Sequence, residues 1–188
     1  MSCELPAREP GRPSRSRRYV EMKILQLRKR LQRATAPMRP SEVRLRPFSG
    51  PGDVAAWLSL RAAALAGAIA EGRPWTAEDF QREFLSRPWW RAESMWLAEA
   101  DADVPGGTLS VVGSVTLGRS GRPPDDRASL EWLMVAPAYR RRGIGRALVE
   151  TVERAALERG ETEITLETHA DWREAVRLYE RLGYVPRV

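Results

Sequence analysis

The chain has 188 residues with 14 glycines, 14 prolines and one cysteine, which fits one ordinary domain with an appendage and rules out collagen-like and disulfide-scaffold proteins. Its 31 basic residues, of which only Lys23 and Lys29 are lysine, leave a formal charge of +6. That charge sits at one end: residues 1–41 carry 11 Lys and Arg against 3 Asp and Glu, and the remainder carries 20 against 22. A body of charge −2 therefore wears an arm of charge +8, and nucleic acid is not expected as a partner of the body.

The division predicted from charge is a basic extension over residues 1–41 and a domain over 42–188. Pro6, Pro10 and Pro13 interrupt the first eighteen residues, which hold one large aliphatic residue, Leu5; this reads as disorder and not as a secretory signal. Within Tyr19–Arg33, Val20, Ile24, Leu27 and Leu31 recur at helical spacing while Arg28, Lys29, Arg30 and Arg33 take other faces, which predicts a short basic amphipathic helix. A start of translation at Met38 is the alternative. Cys3 is the single cysteine and lies in the arm, so no internal disulfide and no Cys-rich metal site is expected. The most apolar window, Val54–Ala70, is alanine-rich and contains Arg61, too weak for a membrane span. A cytoplasmic location follows.

In the body, Val43–Phe48 alternates as a strand and Gly50, Pro51 and Gly52 break it. Asp53 is expected to cap a helix to about Glu71, and Thr76 with Asp79 resembles the capping box of a second helix ending at Pro88. Trp96–Ala100 and Leu109–Leu117 read as an antiparallel hairpin, followed by a loop from Gly118 to Arg127. Strand 129–135, helix 144–159, strand 163–168 and helix 173–182 then alternate, which favours an α/β or α+β fold with parallel pairing near its end. Trp75, Trp89 and Trp90 are assigned to core packing.

Chemistry concentrates at Val135–Leu148, where a strand ends, an arginine-rich loop turns and Gly143 and Gly145 open a helix. Amides at such a turn and the positive helix end suit a phosphate or pyrophosphate. No Gly-Lys-Ser/Thr occurs, and Leu148 stands where a Rossmann fingerprint needs Gly or Ala, so ATP and NAD fit poorly. The loop alone is equally compatible with a solvated basic turn.

Arg140-x-x-Gly143-x-Gly145 resembles the Arg/Gln-x-x-Gly-x-Gly/Ala signature of the GNAT N-acetyltransferase superfamily, and Ala175-x-x-Leu178-Tyr179 with Gly183-Tyr184 resembles the family's later segment. The order of elements from Glu42 to Val188 agrees. The resemblance implies a mixed, mostly antiparallel sheet flanked by helices, with acetyl-CoA or another acyl-CoA as co-substrate. It implies that Leu133, Met134 and Val135 pair with the pantetheine arm. Arg140, Arg141, Arg142, Gly143, Ile144, Gly145 and Arg146 would hold the pyrophosphate and adjoining phosphate. Tyr179 matches a position where many members carry a general acid, and Glu131 is the candidate general base, with Glu167 and His169 as weaker alternatives.

Two departures stand out. Trp172 occupies a place where asparagine is common, and Val188 follows Gly183 by five residues, so at most one short strand fits where the family usually has two. The sheet edge so left is expected to be capped by a partner subunit such as a second copy, covered by the N-terminal arm, or tolerated. The implied activity is acetyl transfer to a primary amine of a small molecule or protein. A catalytically weak acyl-CoA-binding regulatory module and a nucleic-acid-binding protein acting through the arm are the alternatives. Glu71, Glu78, Glu83 and Glu93 are candidates to face a cationic amine.

Overall fold

The computed structural model describes residues 23–32, 43–66, 73–100, 110–121 and 126–187. The disorder expected for the first eighteen residues lies outside them, and the helix expected to run from Asp53 to about Glu71 spans Pro51–Leu65 and leaves helical geometry at Ala66. Seven strands form one sheet in the order β2-β3-β4-β5-β6-β1-β7: β1 Ile24–Arg30, β2 Arg44–Pro47, β3 Met95–Ala100, β4 Ser110–Ser120, β5 Arg127–Val135, β6 Glu163–His169 and β7 Val185–Pro186. Every pairing is antiparallel except that of β5 with β6. Helices α1 Pro51–Leu65, α2 Ala77–Phe80, α3 Ile144–Glu158 and α4 Arg173–Arg181 flank it, and α2 runs on as a π-helical turn over Gln81–Leu85.

Alternation along the strands separates two cores. Met95 and Leu97 of β3 join Phe48, Trp57, Phe80, Phe84 and Met134 beneath α1 and α2. Ala98, Val115, Leu130 and Ile164 meet Ile144, Leu148 and Val152 of α3 on the other face. Trp75, Trp89 and Trp90 pack against the first of these, and Trp57 donates its Nε1–H to the buried Ser114 Oγ at 3.0 Å.

Two expectations are corrected. The basic helix is a strand: β1 lies antiparallel to β6, with Leu27 opposite Leu166, and turns Leu25, Leu27, Lys29 and Leu31 inward in alternation. Lys29 tolerates that face because its Nζ bonds both carboxylate oxygens of Glu153 on α3, at 2.8 and 2.7 Å. The boundary at Ser41 thus marks a change of charge, while residues 24–31 belong to the sheet and core. The arm covers the edge of β6, and the short β7 pairs with the arm's other side through Leu27 and Arg28.

Asp53 does not cap α1. Pro51, whose fixed φ suits the first turn, starts the helix behind Gly50. Asp53 instead accepts from Ser49 N at 2.7 Å and from both Arg46 terminal nitrogens at 2.8 and 2.7 Å. The Thr76–Asp79 capping box forms as expected.

Candidate active site

The ladder between β5 and β6 consists of one pair, Ser129 with Thr165. Beyond it the strands diverge, and a groove of about 1340 Å³ opens between them. Its walls include Leu133, Met134 and Val135 of β5, Glu167 and His169 of β6, the turn before α3, and Leu178 and Tyr179 of α4. A splayed strand edge leaves main-chain donors and acceptors available to an extended amide ligand.

At one end of the groove the chain turns into α3. Arg141 and Gly143 take positive φ, 66° and 82°, and no side chain caps the helix, so its first amides remain available to an anion. Gly145 packs closely on α4, since a Cβ there would stand 3.3 Å from Leu178 Cδ2. The arginines are largely committed within the protein. Arg140 donates to Val135 O at 3.2 Å and Ala64 O at 2.9 Å, tying β5 to α1. Arg142 stacks over the Tyr139 ring at 5.1 Å, and Arg146 pairs with Glu150 at 2.6 Å.

Glu131 lies on the face of α1 and α2. A bulge places an extra residue on β5 between Glu131 and Met134, with Trp132 at φ 53°, so Glu131 and Trp132 turn successively to the same face. Burial pushes the Glu131 carboxyl up to about 7, against a hydrogen bond from Ser129 that favours the charged form. Ser129 Oγ donates to Glu131 Oε1 at 3.0 Å. Glu83 and Glu167 add like charge and Arg87 opposes it. Glu83 accepts from Trp132 Nε1 at 3.0 Å.

Tyr179 is 5% exposed and lines the groove. Burial holds its phenol well above the ordinary value, so it stays a neutral O–H donor. His169 lies in the groove wall against Trp172, ring centroids 4.4 Å apart.

Of the residues singled out in the sequence, Glu131, Tyr179, Leu133, Met134, Val135, Arg140, Arg141, Gly143, Gly145 and Arg146 line this one groove. Arg142 is absent from the lining, and Ile144 is 1% exposed and packs in the core. Of the four glutamates proposed to face the acceptor, Glu83 lines the groove, Glu78 and Glu93 do not, and Glu71 lies outside the described residues. Sequence reasoning missed Ser129, Arg87, Trp132 and Gly118. Gly118 is in strand β4 and not in a loop; a glycine inside a strand is itself a signal of close approach.

The model of the Acetyltransferase (GNAT) family matches residues 63–184. Among curated proteins, a mycothiol acetyltransferase of Acidothermus cellulolyticus is 32% identical over 189 residues, covering 96% of this chain and 56% of that protein. The chain spans about half the length of the curated relatives it matches. Among solved structures, a GCN5-related N-acetyltransferase from Sphaerobacter thermophilus aligns with TM-score 0.67 and 25% identity over 87% of this chain and 48% of that one. The NatC complex bound to Gag peptide and CoA aligns with TM-score 0.61 and 22% identity over 78% and 87%. With its element order and its groove between splayed strands, the chain belongs to the GNAT acetyltransferase family.

Proposed function

We propose that the protein transfers an acetyl group from acetyl-CoA to the primary amine of a small molecule, by direct attack in a ternary complex. The observation that carries this is the splay of β5 from β6, which opens at Glu131 and runs to the uncapped N-terminus of α3. The donor set suits acetyl-CoA: strand-edge amides for pantetheine, and the uncapped amides of a helix end for pyrophosphate. Leu133 and Val135 would hold the pantetheine arm, and the turn from Arg141 to Arg146 the pyrophosphate. Relatives named for mycothiol favour a small amine over a protein acceptor.

Amide formation needs a neutral amine. Glu131, ionising near pH 7, takes the proton released as nitrogen attacks the thioester carbonyl. The carbon–nitrogen bond forms, the carbon–sulfur bond breaks, and the Tyr179 phenol supplies a proton to the departing thiolate. Holding acyl donor and amine together contributes further. Glu83, Glu131 and Glu167 make the acceptor end acidic, which favours a cationic amine.

The test is release of free CoA thiol from acetyl-CoA with a panel of primary amines: mycothiol-type amines, aminoglycosides, polyamines and peptides. Turnover with a small cationic amine supports the proposal. Acetyl-CoA binding without thiol release from any amine would identify a regulatory binding module instead.

A further inference from the structure

We infer that Gly118 and Ser129 form a seat that fixes the Glu131 carboxylate in the groove, Gly118 by leaving the surface of β4 bare and Ser129 by donating a hydrogen bond. The inference rests on the proposed role of Glu131 as base and names the positioning residues behind it. Gly118 lies directly opposite Ser129 across the β4–β5 ladder, and Thr116 opposite Glu131. The Glu131 side chain therefore crosses diagonally onto the Gly118 position. A Cβ on Gly118 would stand 2.5 and 2.6 Å from the two carboxylate oxygens and would overlap the carboxylate carbon. No side chain larger than hydrogen shares that space with the carboxylate.

The second half of the seat is Ser129, 5% exposed, whose Oγ donates to Oε1 at 3.0 Å. Charged groups face the carboxylate from three neighbouring elements: Glu83 from the π-helical turn and Arg87 just after it, and Glu167 from β6. Arg119 of β4 lines the same groove and is held by Asp126 and Glu161 at 2.5 and 2.7 Å. What obstructs a methyl at Gly118 is the end of a flexible side chain and not backbone. The carboxylate therefore swings into the groove, the fold persists, and the cost falls on the position and solvation of the base.

The two halves act on ionisation in opposite directions. Gly118→Ala displaces the carboxylate toward water and returns its ionisation toward the ordinary carboxylate range. Ser129→Ala removes a bond that favours the charged form and moves ionisation further up. A merely structural role for either residue predicts no such opposed pair.

The experiment is a carboxyl-carbon NMR titration of the full chain labelled at glutamate, Glu131 assigned by the Glu131→Gln variant, together with thiol release from acetyl-CoA using the fastest amine of the panel. Gly118→Ala is expected to lower the Glu131 midpoint by at least about one pH unit and Ser129→Ala to raise it. Misplacing the base is expected to slow turnover of Gly118→Ala on the order of 100-fold, with no further loss when Gly118→Ala is added to Glu131→Gln. Unchanged midpoints in both variants overturn the inference, as do losses that add in the double variant. If the midpoints move as expected while Glu131→Gln keeps full turnover, the base reading fails and the positioning role with it. If Gly118→Ala does not fold, the upward shift in Ser129→Ala decides: its absence overturns the seat.

Discussion

Replacing Glu131 by glutamine should slow the proposed acetyl transfer and stabilise the protein, and the stabilisation should depend on pH. The carboxyl ionises near 4.5 in the unfolded chain and near 7 in the fold, mainly because it is buried. Between those values the folded state binds more protons than the unfolded one, so this group makes stability fall as pH rises from about 4.5 to 7. Above pH 7 the buried charge costs roughly 3 kcal/mol in full, and its contact with the groove's solvent brings that nearer to about 2. Glutamine keeps the oxygen that accepts from Ser129 and removes the charge. Thermal unfolding of the two proteins at pH 4.5 and pH 8.5 is the assay, with a gain of about 2–4 °C per kcal/mol expected at the higher pH and none at the lower. A difference that is equal at both values, or a variant less stable at pH 8.5, would refute the burial of the Glu131 charge. In the same variant turnover should fall by about 100- to 10,000-fold, and the acid limb of the wild-type rate profile near pH 7 should disappear.

Tyr179→Phe keeps the packing and removes the proton donor; steady-state kinetics should show kcat lowered on the order of 100-fold with acetyl-CoA affinity intact, and full turnover across pH would remove the assignment. Leu27→Ala, at a position 4% exposed within β1, should cost about 2–4 kcal/mol in denaturant titration, and deletion of residues 1–37 should abolish the cooperative transition. Arg46→Met leaves the buried carboxylates of Asp53 and Glu99 without their shared cation and should destabilise by about 3 kcal/mol near neutral pH. The Arg46 side chain holds the Asp53 carboxyl down at about 2, so the contribution of that pair is present above the ordinary carboxylate range. It is lost as pH falls toward 2, and the penalty of Arg46→Met should shrink there in parallel.

The later half of the fold was legible because its signals are local. The apolar run that ends the strand predicted over 129–135, the 3.6-residue stripe of α3 and the two glycines at its start each specify an element without a distant partner. The groove was legible for the same reason, since the Arg140–Gly145 and Ala175–Tyr184 motifs lie on the elements that wall it. The arm was not. Leu27 and Leu31 fit a helix and a strand equally, and Lys29 breaks the apolar alternation that would have marked a strand. What makes Lys29 acceptable inside is Glu153, far along the chain, and what makes the strand is β6. Gly118 was read as the start of a loop because a glycine in one sequence does not say what approaches it. Only the pairing of β4 with β5 brings the Glu131 carboxylate over it.

The most direct test of acetyl-CoA seated between the splayed strands is backbone hydrogen exchange of the full chain with and without acetyl-CoA. Slowed exchange is predicted over Leu133–Val135 and Arg141–Arg146, the amides of the open strand edge and the uncapped turn. Exchange unchanged in both segments at saturating acetyl-CoA, or protection confined to other parts of the chain, would contradict the account.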